Sequence, residues 1–140
     1  MDHLAILSKK GDWLAKILSG EKTIESRWYK HKKGPYGTIK AGDTIYFKES
    51  GEPVTAKARV EKALFFADLY PATIQKILDD YGKQICLQNY TLEAYKRTNY
   101  VTLVFLVDVK AIEPFKINKK GYGLMAAWIT VDSIDRIRVN

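Results

Sequence analysis

Cysteine is all but absent. Cys86 stands alone in a chain of 140 residues, so no internal disulfide framework is available and a reducing, cytoplasmic setting is expected. Histidine is nearly as scarce: His3 and His31 lie far apart, no pair has metal-ligand spacing, and no metal site is expected. Long apolar runs are missing. The stretch "VTLVFLV" (101–107) falls far short of the roughly 18 to 20 residues of a membrane-spanning helix. The opening "MDHLAILSKKGD" carries an acid at position 2 and only a short apolar run, unlike a secretory signal. There is no P-loop and no G-x-G-x-x-G. "KKGYGLMAAW" (119–128) has Gly121 and Gly123 but no lysine–serine continuation, so no cofactor is expected.

Acids are in deficit, 16 against 23 Lys and Arg, for a net charge of +7. Residues 1–40 hold nine bases and four acids, which is five of those seven charges. The stretch "YKHKKGPYGTIK" (29–40) supplies Lys30, Lys32, Lys33 and Lys40 with no acid among them. A basic cluster beside aromatics suits a surface that tracks phosphates, and equally a solvated loop.

The hydrophobic share of 46% and charged share of 28% are those of one ordinary globular domain, here 1–140. "HLAILS" (3–8) reads as a short strand. "GDWLAKILSG" (11–20) reads as a helix with Asp12 as N-cap, an apolar face of Trp13, Leu14, Ile17 and Leu18, and a stop at Gly20. "KTIESRWY" (22–29) is rich in strand formers. "DTIYFKES" (43–50) and "VTAKARVEKALFF" (54–66) form a hairpin, the second alternating between a buried and a wet face. "PATIQKILDDYG" (71–82) is a helix with Pro71 at its first position and Gly82 past its end. "TLEAYKR" (91–97) is a short helix capped by Thr91. "YVTLVFLVDV" (100–109), apolar on both faces, belongs in the middle of a sheet. "AWITV" and "DRIRV" make a last strand pair. The sum is an α+β domain, a small curled sheet with helices against it.

In a strand over 23–29, Thr23, Glu25, Arg27 and Tyr29 share one face, and Ile24, Ser26 and Trp28 the other. Ile24 and Trp28 mark the core face. Lys22, in the turn after Gly20, can then lean over the same mouth as Glu25 and Arg27. A lysine, a carboxylate and a guanidinium around one cleft recognise a polar planar group and a phosphate together. With shifted pKa values, Lys22 and Glu25 could also run acid–base catalysis. The plain alternative is a Glu–Arg pair on a sheet rim with no function.

The segment "GEKTIESR" (20–27) matches the G-x-K-x-x-E-x-R signature, and "KAGDTIYF" (40–47) resembles the G-D-x-I strand start, of the ASCH domain family in the PUA-like superfamily. The resemblance is anchored in residues 11–47. It implies a small PUA-like curled β-sheet or barrel with flanking helices and a cleft lined by the signature residues. It also implies binding of RNA or a nucleotide-like ligand, in settings of translation or RNA modification. On that reading Lys22, Thr23, Glu25 and Arg27 contact the ligand. Lys30, Lys32, Lys33, Lys119 and Lys120 follow the RNA backbone, while Tyr29, Tyr122 and Trp128 are stacking candidates. Trp128 has a core position as its alternative, and Tyr90, Tyr95 and Tyr100 near Lys96 and Arg97 have a packed helix face as theirs.

Some relatives of this family are hydrolases. One branch removes the acetyl group of N4-acetylcytidine with a lysine, a threonine nucleophile and a glutamate. The lysine falls on Lys22, but the threonine falls on position 25, which is Glu25 here. Thr23 lies two residues away on the same strand face. Other ASCH proteins are ribonucleases. The signature does not separate enzyme from binder, so a hydrolase on RNA or modified nucleosides, with Lys22 and Glu25 catalytic, stands as the alternative.

Overall fold

The computed structural model describes residues 1–87 and 92–139. Thr91 and Tyr90, expected to cap a helix and to join a tyrosine cluster, lie outside the described residues. The elements follow in chain order: β1 (Asp2–Leu7), α1 (Trp13–Ser19), β2 (Ile24–Tyr29), β3 (Thr44–Glu49), β4 (Val54–Ala67), α2 (Pro71–Ile85), α3 (Leu92–Tyr95), β5 (Tyr100–Ile117), β6 (Trp128–Val131) and β7 (Arg138–Val139), with a 3-10 turn at Ile134–Arg136 preceding β7.

The strands form one mixed sheet in the order β2-β5-β4-β3-β1-β6, with β7 beside β5. Among the described residues β1 and β3 alone run parallel; the other pairs are antiparallel. The long strands β4 and β5 slip register at three places, between Val54 and Ala56, Lys57 and Arg59, and Val60 and Lys62. Each slip bends the pair and adds twist, and the sheet curls into a half-barrel whose two end strands are β2 and β6. The central position expected for 100–109 is the observed one, and the reason is visible in the packing. Val101 and Leu103 join a cluster under α2 with Ile24, Ile74, Ile77 and Leu78. Val104 and Leu106 join the opposite cluster, with Leu14 and Ile17 of α1 and the small residues Ala5, Ala56 and Ala58 that let the sheet close up.

Four expectations need correction. Asp12 precedes α1 in a left-handed conformation, φ 54°, and its side chain caps nothing. Leu18 points outward, because the narrow α1 stripe that meets the sheet buries Leu14 and Ile17, with Trp13 partly buried beside them. Gly82 lies inside α2, which continues to Ile85 because Gly82 and Ile85 are buried against the sheet; Cys86, at φ 61°, ends it. The last two strands do not pair: β6 adds to β1, and "DRIRV" is a 3-10 turn followed by the two residues of β7 on β5. Gly20 ends α1 as expected, at φ 84°, where a side chain would be strained. Among the described residues no helix is long and apolar enough to cross a membrane.

Candidate functional site

A half-barrel leaves a seam, and here it lies between the free edge of β2 and the β1–β6 pair. A cleft of about 390 Å³ occupies it, walled by consecutive residues Glu25 to Tyr29 on one side and by Ile6, Leu7, Ser8 and Ala127 on the other. Lys22, Trp13, Ile85, Leu87 and Tyr95 complete the lining.

Local chain geometry brings the charged groups together. The turn after Gly20 docks on the end of α2: the Thr23 N–H donates to the Gln84 carbonyl at 3.0 Å, and the Lys22 ammonium to the Ile85 carbonyl at 2.6 Å. Lys22 therefore satisfies an orphan carbonyl at the negative end of the α2 dipole. It is 3% exposed, with Nζ 3.5 Å from Glu25 Oε1 and 5.1 Å from the centre of the Trp13 ring. Glu25, 5% exposed, accepts from the Ser26 N–H at 3.1 Å and from Arg27 Nη2 at 3.1 Å. Burial alone would push the Glu25 carboxyl up. The positive charges of Lys22 and Arg27 and the hydrogen bonds from Arg27 and Ser26 outweigh it and hold the group below its ordinary value.

Arg27 crosses the seam. Its Nη1 donates to the Ala127 carbonyl at 3.2 Å and its Nη2 to the Ile6 carbonyl at 3.3 Å, tying the two end strands of the sheet. The guanidinium also lies over the Trp128 ring, 5.1 Å from its centre. Of five guanidinium N–H groups, three are engaged in these contacts and with Glu25, leaving two. The Lys22 ammonium donates one hydrogen bond, to Ile85, and pairs ionically with Glu25, so it too keeps donor capacity beside the Trp13 face. The trio carries a net charge of +1 in a nearly dry wall, which suits an oxygen ligand, carbonyl or phosphate.

Below the seam sits a buried polar chain. Trp128 Nε1 donates to His3 Nδ1 at 3.2 Å, Thr130 Oγ1 lies 3.0 Å from the same nitrogen, and His3 Nε2 lies 2.8 Å from Asp43. The consistent assignment is a neutral imidazole with its proton on Nε2. Burial holds the His3 pKa below its ordinary value, in spite of Asp43. The Asp43 carboxyl, which burial alone would raise, is held low by the hydrogen bonds from His3, the Lys40 N–H and the N-terminus.

The structure brings Lys22, Glu25, Arg27 and Tyr29 into one cleft. Thr23 is not among its lining residues; its side chain is exposed while its backbone bonds to α2 and β5. Lys30, Lys32 and Lys33 are exposed on the loop after β2. Lys33 sits 4.2 Å over the Tyr29 ring, and Lys32 5.8 Å over Tyr36, so the basic loop is attached to the mouth of the cleft. Trp128 packs half-buried against the core with Arg27 above it and does not line the cleft. Lys119 is turned inward on its own loop, donating to the Leu124 and Ala126 carbonyls. Lys120 and Tyr122 line a separate hollow with Asn118, Arg136 and Ile137. Tyr95 stacks on Trp28, centroids 4.4 Å apart, in the cleft lining, while Tyr100 packs edge-on to Tyr36.

Sequence reasoning missed Trp13 and Trp28 as cleft walls because each also qualified as a core residue. Both are half-buried, and the same ring serves both surfaces. The signal available was aromatic density on either side of the signature.

No protein-family profile matches the chain, and no curated protein matches it. Solved structures do. The crystal structure of ASCH from Zymomonas mobilis superposes with a TM-score of 0.70 at 16% identity, over 96% of this chain and 90% of that one. Two point mutants of that Zymomonas mobilis protein superpose equally, with TM-scores of 0.70 at 17% identity, over 96% of this chain and 91 to 93% of theirs. The chain has the ASCH fold, an α+β, PUA-like curled sheet with flanking helices.

Proposed function

We propose that the protein binds RNA or a nucleotide-like ligand in the seam cleft, with no membrane involved. The observation that carries this reading is the Lys22–Glu25–Arg27 cluster, set between aromatic walls and joined through Tyr29 to a basic loop. A planar base fits against Trp13, Trp28 or Tyr95. The spare donors of Arg27 and Lys22 take a carbonyl or phosphate oxygen, and Glu25, with lone pairs still open, accepts from an amine or ring N–H. Lys30, Lys32 and Lys33 continue along the backbone. The ASCH fold supports the same reading by likeness.

A hydrolytic role for Lys22 and Glu25 has less support. A carboxylate held below its ordinary value is a weak base and a poor proton donor near neutrality. Lys22 also spends a hydrogen bond on the Ile85 carbonyl, Glu25 accepts from the Ser26 N–H and from Arg27, and the two groups form an ion pair with each other. Thr23, the hydroxyl on the same strand face as the absent nucleophile, does not line the cleft.

The test is fluorescence anisotropy with a single-stranded RNA across a salt series, comparing the protein with Lys22→Met, which keeps the stem and removes the ammonium. The reading expects binding that weakens steeply with salt and falls about tenfold in the folded variant. Equal affinity of the two proteins would remove Lys22 from the cleft's chemistry. The same samples, incubated with total RNA and N4-acetylcytidine and analysed by mass spectrometry, should show no product; turnover lost in Lys22→Met would establish the hydrolase instead.

A further inference from the structure

We propose that the loop 118–127 is a wedge that keeps the nucleotide next to the cleft unstacked, with Leu124 and Met125 lying against the displaced base. This rests on the reading that the cleft holds one nucleotide of an RNA strand. Leu124 and Met125 are 91% and 94% exposed, the two most exposed large apolar side chains among the described residues.

The loop that carries them is built, not loose. The Lys119 ammonium donates to the Leu124 and Ala126 carbonyls, each at 2.8 Å, strapping the tip to its own base. Backbone bonds from Tyr122 to Lys119 and from Ala126 to Gly123 close two further turns. Gly121 and Gly123, at φ 92° and 91°, make the conformation accessible. A loop with this many internal restraints presents its two apolar side chains to water in a fixed position, where they contribute nothing to the core.

Position selects the occupant. Ala127 lines the cleft and accepts from Arg27, and Met125 is two residues away, within about 7 Å along the chain. Whatever leaves the cleft on that side meets the tip within one or two nucleotides. On the far side of the loop, Lys120 shares a hollow with Tyr122, Asn118 and Arg136; Arg136 is paired with Asp132 at 2.6 Å, so Lys120 is the cation there for the next phosphate. No acid occurs between positions 114 and 131, whereas Lys116 and Lys120 do, beside the Lys119 that straps the loop. Apolar side chains inserted beside a base, with cations on the flanking phosphates, are how proteins hold a nucleic acid unstacked. An anionic lipid surface is the weaker candidate, since two side chains without an amphipathic helix bury little in a bilayer.

The test uses a set of four roughly ten-nucleotide RNAs. Each is an oligoadenylate with 2-aminopurine beside a central A, C, G or U and a terminal fluorescein. Wild type is compared with the double variant Leu124→Ser, Met125→Ser, whose changes touch no core residue. The proposal expects wild type to raise 2-aminopurine emission severalfold at saturation. The variant should bind about tenfold more weakly and give no rise. A variant that binds and brightens the probe as wild type does overturns the wedge and leaves the cleft reading intact. Binding by neither protein to any of the RNAs at about 0.15 M salt overturns both. Wild-type binding to vesicles with about a quarter phosphatidylserine, lost in the variant while RNA binding is unchanged, makes the loop a lipid contact and overturns the wedge.

Discussion

The guanidinium of Arg27 lies 5.1 Å over the indole of Trp128, and the indole N–H of Trp128 is in turn bonded to His3. One residue from β2 thereby rests on a support built from β6, β1 and the loop before β3, on the far side of the seam. The same guanidinium donates to carbonyls at Ile6 and Ala127. Arg27 is both the clasp of the half-barrel and a wall of its cleft, so the fold and the candidate site share an energy term.

That double role predicts an uneven response to substitution. Arg27→Lys keeps the charge but cannot reach Glu25 and both carbonyls in one plane. It is expected to cost about 1–3 kcal/mol in denaturant unfolding, the scale of charge-assisted hydrogen bonds lost, and to weaken RNA binding as well. Retention of full stability would show that the seam closes without the fork.

Glu25→Gln tests the electrostatics of the trio. The amide keeps the shape but leaves the Lys22 and Arg27 charges facing one another in a buried wall, at a cost of about 3–5 kcal/mol. The pH dependence has a definite sign. The folded carboxyl sits below its ordinary 4.5, so its contribution is complete above that value and is lost as pH falls through the folded one. Chemical denaturation at a series of acidic pH values should therefore show a shallower acid loss for the variant than for wild type.

Much of this site was legible in the sequence. The alternation of 23–29 put Glu25 and Arg27 on one face, Gly20 fixed the turn that carries Lys22, and the two-sided apolarity of 100–109 placed β5 centrally. What stayed hidden depends on closure. Ile6 and Ala127 accept from Arg27 through their carbonyls, which no side-chain pattern announces. Lys119 read as a backbone-tracking cation because its charge was visible and its two carbonyl acceptors were not. The β6 and β7 segments read as a strand pair because neighbours in sequence usually pair, but β6 adds to β1 and the end of β5 takes β7 instead.

His3 predicts a second pH effect. Burial holds its imidazole below the ordinary 6.5, so the unfolded chain takes up the proton first as pH falls. The stability it contributes is complete above about 6.5 and declines as pH drops toward the folded value. Nitrogen chemical shifts of the His3 ring should report a neutral Nε2–H tautomer at about pH 6.5. A protonated ring there would contradict the Trp128–His3–Asp43 chain.

Thr102 is fully buried, faces Arg27 across the β2–β5 pair, and its hydroxyl has no partner among the described residues. Thr102→Val removes an unsatisfied polar atom at constant shape and is expected to stabilise the fold by about 1 kcal/mol. Thermal unfolding decides it; a loss of stability would mean that the hydroxyl is bonded, for instance to a water beside Arg27.

The basic loop should separate backbone contact from cleft recognition. Lys32 and Lys33 are exposed and reach no acid among the described residues, lying instead over Tyr36 and Tyr29. If each neutralises one phosphate, log affinity for single-stranded RNA should fall with log salt by about 0.7 per contact, and replacing one lysine by alanine should remove about that much slope. The loss should be the same for every RNA sequence, because a phosphate carries no base identity. Lys33→Ala has a further consequence, since it uncovers the Tyr29 ring at the cleft mouth. Any sequence preference that changes in Lys33→Ala but not in Lys32→Ala therefore locates a base on Tyr29, and identical slopes in all three proteins would take the loop off the RNA path.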